Sequence, residues 1–206
     1  SWNEHSVNAW SILGKDYVSV FPMGDGVVDV NSNLLVADRL AIMPTADFGA
    51  DAVQRITFTS AQPREIRIPA GSELDLSGFG NAANRQEIAF GGNVSLIFEA
   101  GATLRLPKNP TGAGMVLYLT DQAKLVFQGD ENTSTFVPFS DESTASDTAP
   151  IADSRIRIVG KGQIWANKNA TISVNGNVFV GVETDSNNTA TDLTISLQRQ
   201  SRMEIG

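Results

Sequence analysis

The sequence predicts an all-β solenoid, a chain that winds short strands into stacked turns. Apolar residues pair at i and i+2, as in Ile156/Ile158 and Ile172/Val174, so side chains alternate between two faces, as in a half-buried strand. The pairs also recur at a fixed step: Ile156, Ile164, Ile172 and Val180 are each eight residues apart. Gly, Asn and Ser corners separate them, and this run shows no helical spacing at three and four. A chain wound this way buries the apolar face of each turn on its neighbours.

Residues 1–55 read as a separate capping or attachment region, rich in aromatics: Trp2, Trp10, Tyr17, Phe21 and Phe48. One short helix is expected here. Asn31, Ser32 and Asn33 are candidate N-caps, Leu34, Leu35, Ala37, Leu40 and Ala41 follow at mixed helical spacing, and Pro44 ends it.

The solenoid is assigned to residues 56–206. Ile66/Ile68 and Leu74/Leu76 open a first turn, and Ile88/Phe90, Leu96/Phe98 and Leu104/Leu106 make a second. Leu117/Leu119, Leu125/Phe127 and Phe136 make a third, and Ile156/Ile158, Ile164 and Ile172/Val174 a fourth. Val178/Val180/Val182, Leu193/Ile195/Leu197 and Met203/Ile205 make a fifth. Pro69-Ala70-Gly71 and Glu99-Ala100-Gly101 supply the Gly that tight corners require. Between Gln128 and Asp153 lies the largest insertion, rich in Ser, Thr and Asp, which reads as a solvated surface loop or a binding loop. Met203/Ile205 starts fresh pairing, so the solenoid is expected to continue past residue 206 or to be covered by a partner.

With 206 residues, 41% of them hydrophobic, the chain can bury a sizeable core. Its net charge of -8 disfavours a nonspecific nucleic-acid binder, whose surface would be basic. Cys is absent, so neither a disulfide nor a Cys-based metal site contributes, and no cofactor is expected. No apolar run approaches the roughly 18 residues that span a bilayer, so membrane insertion is not expected.

Two motifs carry a family resemblance. Tyr17-Val18-Ser19-Val20 followed by Gly24-Asp25-Gly26-Val27-Val28-Asp29 resembles the opening motif of pectate-lyase-like β-helices of the phage tailspike type. The Pro69-Ala70-Gly71 corner lies at a comparable distance, and Ile158-Val159-Gly160-Lys161-Gly162-Gln163-Ile164 is similar to a corner that recurs in such helices. Val30 departs from the motif, which has an Asp there. The resemblance implies a right-handed parallel β-helix, a homotrimer, a virion-tail or extracellular location, and cell-surface polysaccharide as partner. A tail spike or fibre component that binds host glycan is the expected function. A polysaccharide lyase or glycoside hydrolase on the same scaffold, or a secreted bacterial adhesin, is the alternative.

Chemistry is sparse. The single His, His5, lies far from any repeat, which disfavours Ser-His-Asp and Cys-His catalysis. Glu183, Asp185 and Asp192 share one corner region and could serve as paired carboxylates in glycoside hydrolysis, or simply solvate that corner. Outward positions say more. If the apolar pairs point inward, Arg67, Ala89, Tyr118, Arg157 and Phe179 point out on the first-strand face. Stacked about 4.8 Å apart, Arg67, Tyr118, Arg157 and Phe179 would form an aromatic and cationic ladder for an acidic glycan or a protein partner. On the second-strand face Ile97, Val126 and Trp165 would form an apolar stripe, expected to be an oligomer interface.

Overall fold

The computed structural model describes residues 18–20, 27–42, 54–79, 86–107, 114–129, 136–137, 156–175, 178–180 and 192–205. Among these the protein is all β, with every strand pair parallel, and the strands stack into a solenoid.

β1 (Val18–Val20) precedes the first full winding, β2 (Val27–Asp29), β3 (Leu34–Leu35) and β4 (Arg39–Ile42). The second is β5 (Gln54–Thr59), β6 (Arg64–Ile68) and β7 (Glu73–Asp75). The third is β8 (Gln86–Phe90), β9 (Val94–Glu99) and β10 (Thr103–Arg105). Next come β11 (Met115–Leu119), β12 (Lys124–Gln128) and β13 (Phe136–Val137), then β14 (Ile156–Val159). β15 (Lys161–Ala166), β16 (Thr171–Asn175) and β17 (Val178–Val180) follow, and β18 (Asp192–Leu197) and β19 (Arg202–Ile205) close the series.

Three sheets run the length of the solenoid. Sheet I stacks β2, β5, β8, β11, β15 and β18, and sheet II stacks β3, β6, β9, β12, β16 and β19. Sheet III runs β1-β4-β7-β10-β14-β17-β13. The insertion after β12 thus lends one short strand, β13, to the edge of sheet III beyond β17.

Registers are continuous, so inward side chains stack into rows. In sheet I, Ile56, Ile88, Leu117, Ile164 and Ile195 are successive partners, as are Phe58, Phe90, Leu119, Ala166 and Leu197. In sheet II the rows are Ile66, Leu96, Leu125, Ile172, Met203 and Ile68, Phe98, Phe127, Val174, Ile205. The Phe58 and Phe90 rings stack at 5.1 Å, and those of Phe98 and Phe127 at 5.5 Å. All four are buried. Such contacts add about 0.5–1.5 kcal/mol each beyond area burial.

The corners differ in chemistry. Between sheets II and III, Gly71 (φ 78) and Gly101 (φ 83) take the left-handed conformation, and Gly71 N donates to Gly101 O at 3.0 Å. Between sheets I and II, left-handed pairs without Gly recur: Asp121-Gln122, Lys168-Asn169 and Arg199-Gln200. Successive pairs are joined by Gln122 N to Lys168 O at 3.1 Å and Asn169 N to Arg199 O at 3.3 Å. Between β14 and β15 the corner is a single residue, Gly160 (φ 91).

Two sequence expectations are corrected. The helix expected after Asn31 does not form, and residues 34–35 and 39–42 are strands. Leu34, Val36, Leu40 and Ile42 face the core, while Asp38 (φ 56) makes a left-handed corner between the two strands. Parallel pairing with β6 and β7 outweighs local helix propensity. These strands also join the same three sheets as residues beyond 55, so stacking is continuous across that position.

The second correction is the phase of the windings. Ile66, Ile88 and Ile156, expected to stack on one face, lie in sheets II, I and III respectively. Ile56/Phe58, not assigned to a turn, is the apolar pair that opens the second winding. The one-residue corner at Gly160 compresses the later count.

Candidate functional site

Of the proposed binding residues, only Tyr118 remains on sheet I. Arg67 stands on sheet II, where its guanidinium contacts Glu99 Oε1 at 2.8 Å and Glu65 Oε2 at 3.2 Å. The Glu99 contact, opposed by partial burial and reinforced by Glu65, raises its pKa further above the ordinary Arg value. Arg157 and Phe179 are register partners on sheet III, and Arg157 is buried at 7% exposure. For Phe179 only the backbone is described.

The expected apolar stripe divides as well. Ile97 and Val126 are register partners on sheet II, in one row with Leu35, Arg67, Ser173 and Glu204. Trp165 is instead on sheet I, as the register partner of Tyr118. Glu183 and Asp185 lie outside the described residues. Asp192 opens β18 opposite Lys161, with only its backbone described.

What the fold brings together is therefore a pair the sequence reading kept apart, Tyr118 and Trp165. They occupy the outward row Thr57, Ala89, Tyr118, Trp165 and Ser196 of sheet I. Both are half-buried. Outward on a parallel strand, each shows part of its ring at a spacing of about 4.8 Å from its neighbour.

The surroundings hold these rings in place. Ala89 is small, so Arg55 reaches past it from two windings away, with its guanidinium carbon 5.1 Å from the Tyr118 ring centroid. Arg55 is half exposed, and both its Nε and Nη2 donate to Glu87 Oε2. Glu87 itself is buried at 2% exposure. Covering a carboxylate so completely is costly unless it is paired, and here a guanidinium meets it.

Beyond the rings, Asn167 Nδ2 donates to Tyr118 Oη at 2.6 Å, and Trp165 Nε1 donates to Gln163 Oε1 at 2.7 Å. Asn167 is itself fixed in the corner, accepting from Lys168 N at 2.8 Å while its own N–H donates to Leu119 O at 2.9 Å. The arrangement sets two half-buried aromatic rings in neighbouring windings with neutral amide and hydroxyl groups at their rim.

Sheet III carries a different feature, an ion ladder across three windings. Arg39 contacts both Asp75 and Glu73, the latter at 3.2 Å, and Arg105 Nε meets the other Glu73 oxygen at 3.1 Å. Burial would push the Asp75 carboxyl up, but Ser77, whose N–H donates at 2.8 Å, and Arg39 outweigh it and hold its pKa below 3.8. These ties staple windings together and leave little to bind a ligand.

Arg55, Glu87, Gln163 and Asn167 were not singled out from sequence. With Ile56 recognised as an inward residue of the same sheet as Ile88 and Leu117, alternation alone would have placed Arg55, Glu87 and Tyr118 on its outer face. Comparison with family models, curated proteins and solved structures returns no match to this chain.

Proposed function

We propose that this chain is a rigid carbohydrate-binding module of a tail spike, tail fibre or secreted adhesin, working outside the cell or in a virion tail. On this reading the solenoid is a right-handed parallel β-helix of the pectate-lyase-like type and assembles as a homotrimer. The trimer would meet across sheet II, where exposed Leu35 shares a row with Arg67, buried Ile97 and half-buried Val126.

The observation that carries the reading is the side-by-side placement of Tyr118 and Trp165 on a regular sheet, braced by Arg55 and Asn167. Parallel solenoids repeat their outward positions along the axis, so a row of rings can follow successive units of a polymer. Preorganised rings lose little freedom on binding, which favours affinity.

Affinity electrophoresis in cell-surface polysaccharide, with Trp165 fluorescence as a second readout, tests this. Trp165→Ala should weaken binding about ten-fold or more, a loss of at least about 1.4 kcal/mol, with the circular dichroism unchanged. A variant that binds like the parent refutes the reading. Following the chain length of the polysaccharide in the same samples reports whether a lyase or hydrolase is present.

A further inference from the structure

We infer that the polysaccharide held at Tyr118 and Trp165 is uncharged, an inference that rests on the glycan reading above. From sequence, the Arg residues were expected to line up with the aromatics and read an acidic glycan. The fold distributes them otherwise. Arg67 faces sheet II, bound to Glu99 and Glu65, and Arg157 is buried on sheet III.

Among the described residues, Arg55 is the cation that reaches the Tyr118 ring, and it is committed. Two of its nitrogens meet the buried Glu87 carboxylate while its guanidinium carbon lies 5.1 Å from the Tyr118 ring centroid. An anionic ligand would have to share this guanidinium with a carboxylate that cannot escape to water, and the two negative charges would repel at short range. The other cations near this row, among the described residues, are set to the sides. Lys168 lies 3.9 Å from Asp121 in the adjoining corner, Arg199 occupies the next corner, and Lys161 is four strand positions from Trp165, about 13 Å away. The chain as a whole carries -8, which further opposes a polyanion.

The hydrogen-bonding groups at the rim suit hydroxyls. Tyr118 Oη accepts from Asn167, which leaves its own proton to donate outward. Gln163 accepts from the Trp165 indole through Oε1, so its amide N–H groups remain as donors. Donors of this kind pair with sugar hydroxyls without requiring a charge. The row runs along the solenoid axis, so the polymer would lie across the strands, one ring per winding.

The experiment sets the full chain against matched neutral polymers (dextran, mannan, galactan) and acidic ones (polygalacturonate, hyaluronate, dextran sulfate). Binding is read by affinity electrophoresis and indole fluorescence at low and high salt. A neutral polymer should bind, with affinity changing less than about two-fold between about 0.05 and 0.5 M salt. Trp165→Ala should weaken it about ten-fold or more and Trp165→Phe, which keeps a flat ring, much less. Preference for acidic polymers, lost in high salt yet still dependent on Trp165, overturns the uncharged ligand and leaves the glycan reading in place. Binding to none of the six polymers, or binding indifferent to Trp165→Ala in a folded protein, overturns both.

Discussion

Gly160 offers the most direct test of how tightly the windings pack. It makes the single-residue corner between β14 and β15, with φ 91. A Cβ added there would lie 2.3 Å from Leu106 O, 2.6 Å from Leu106 C and 2.9 Å from Pro107 O. All three are backbone atoms of the neighbouring winding and cannot rotate away. The corner is also pinned by Leu106 N donating to Val159 O at 2.8 Å and Lys161 N to Pro107 O at 2.7 Å. In Gly160→Ala, a left-handed non-Gly residue costs about 1–2 kcal/mol. Separating the windings enough to relieve the contact weakens those two bonds, at about 1–3 kcal/mol for each buried group left unsatisfied. The expected loss is therefore about 3–8 kcal/mol, or a Tm lower by about 6 °C or more for a domain of this size. Gly71→Ala is the control, because φ is 78 there but nothing lies within 4 Å of the added Cβ. It should cost only the conformational part, about 1–2 kcal/mol. Urea and thermal unfolding of both variants measure the difference. Equal losses would refute the close approach of windings at Gly160.

Two further outcomes follow from the same geometry. Gln200 sits exposed at φ 63 in the last corner between sheets I and II. Relief of about 1–2 kcal/mol of left-handed strain exceeds the roughly 0.5–1 kcal/mol entropic penalty of Gly, so Gln200→Gly should raise stability by about 0.5–1 kcal/mol; a lower urea midpoint contradicts this. Asp75 has a pKa lowered from 3.8 in the folded protein, so its stabilising contribution is complete above that value and is lost as pH falls through the lower folded value. Asp75→Asn should therefore reduce stability at neutral pH and flatten the acid limb below 3.8, and an acid limb of unchanged steepness in urea titrations at successive pH values removes the linkage.

The solenoid was legible because its signal is local. Alternation at i and i+2 marks inward positions wherever strands are four to six residues long, and Ile156, Ile164 and Ile172 are all buried. The phase of the windings was not legible, because it depends on how much chain each corner consumes. Gly160 takes one residue, whereas the passage from β12 to β14 takes the whole stretch between Gln128 and Ile156, with β13 set aside at the sheet edge. Asp121-Gln122, Lys168-Asn169 and Arg199-Gln200 turn left-handed without Gly, so they carry no conspicuous turn signal. The site inherited the error in phase. Tyr118 and Trp165 were both recognised as outward, but assigned to different faces, because Ile164 was counted as a second strand rather than the partner of Leu117.

The registers explain how so long an insertion leaves the column intact. Leu125 pairs with Ile172 and Leu117 with Ile164, although the chain between them includes the entire stretch after β12. Closing a longer loop costs only about 0.6 kcal/mol for each doubling of its length, whereas shifting a strand by one residue would turn every inward side chain to water. Closure entropy therefore constrains the length of that insertion weakly, while burial constrains register strongly. The rings of Tyr118 and Trp165 keep their spacing because it is set by backbone pairing, and Ala89 opens the gap through which Arg55 reaches Tyr118. A bulkier residue at position 89 would fill that gap and push Arg55 off Tyr118 while every core residue stayed in place. On the outer face of this solenoid, contacts between alternate windings thus add to those between adjacent ones.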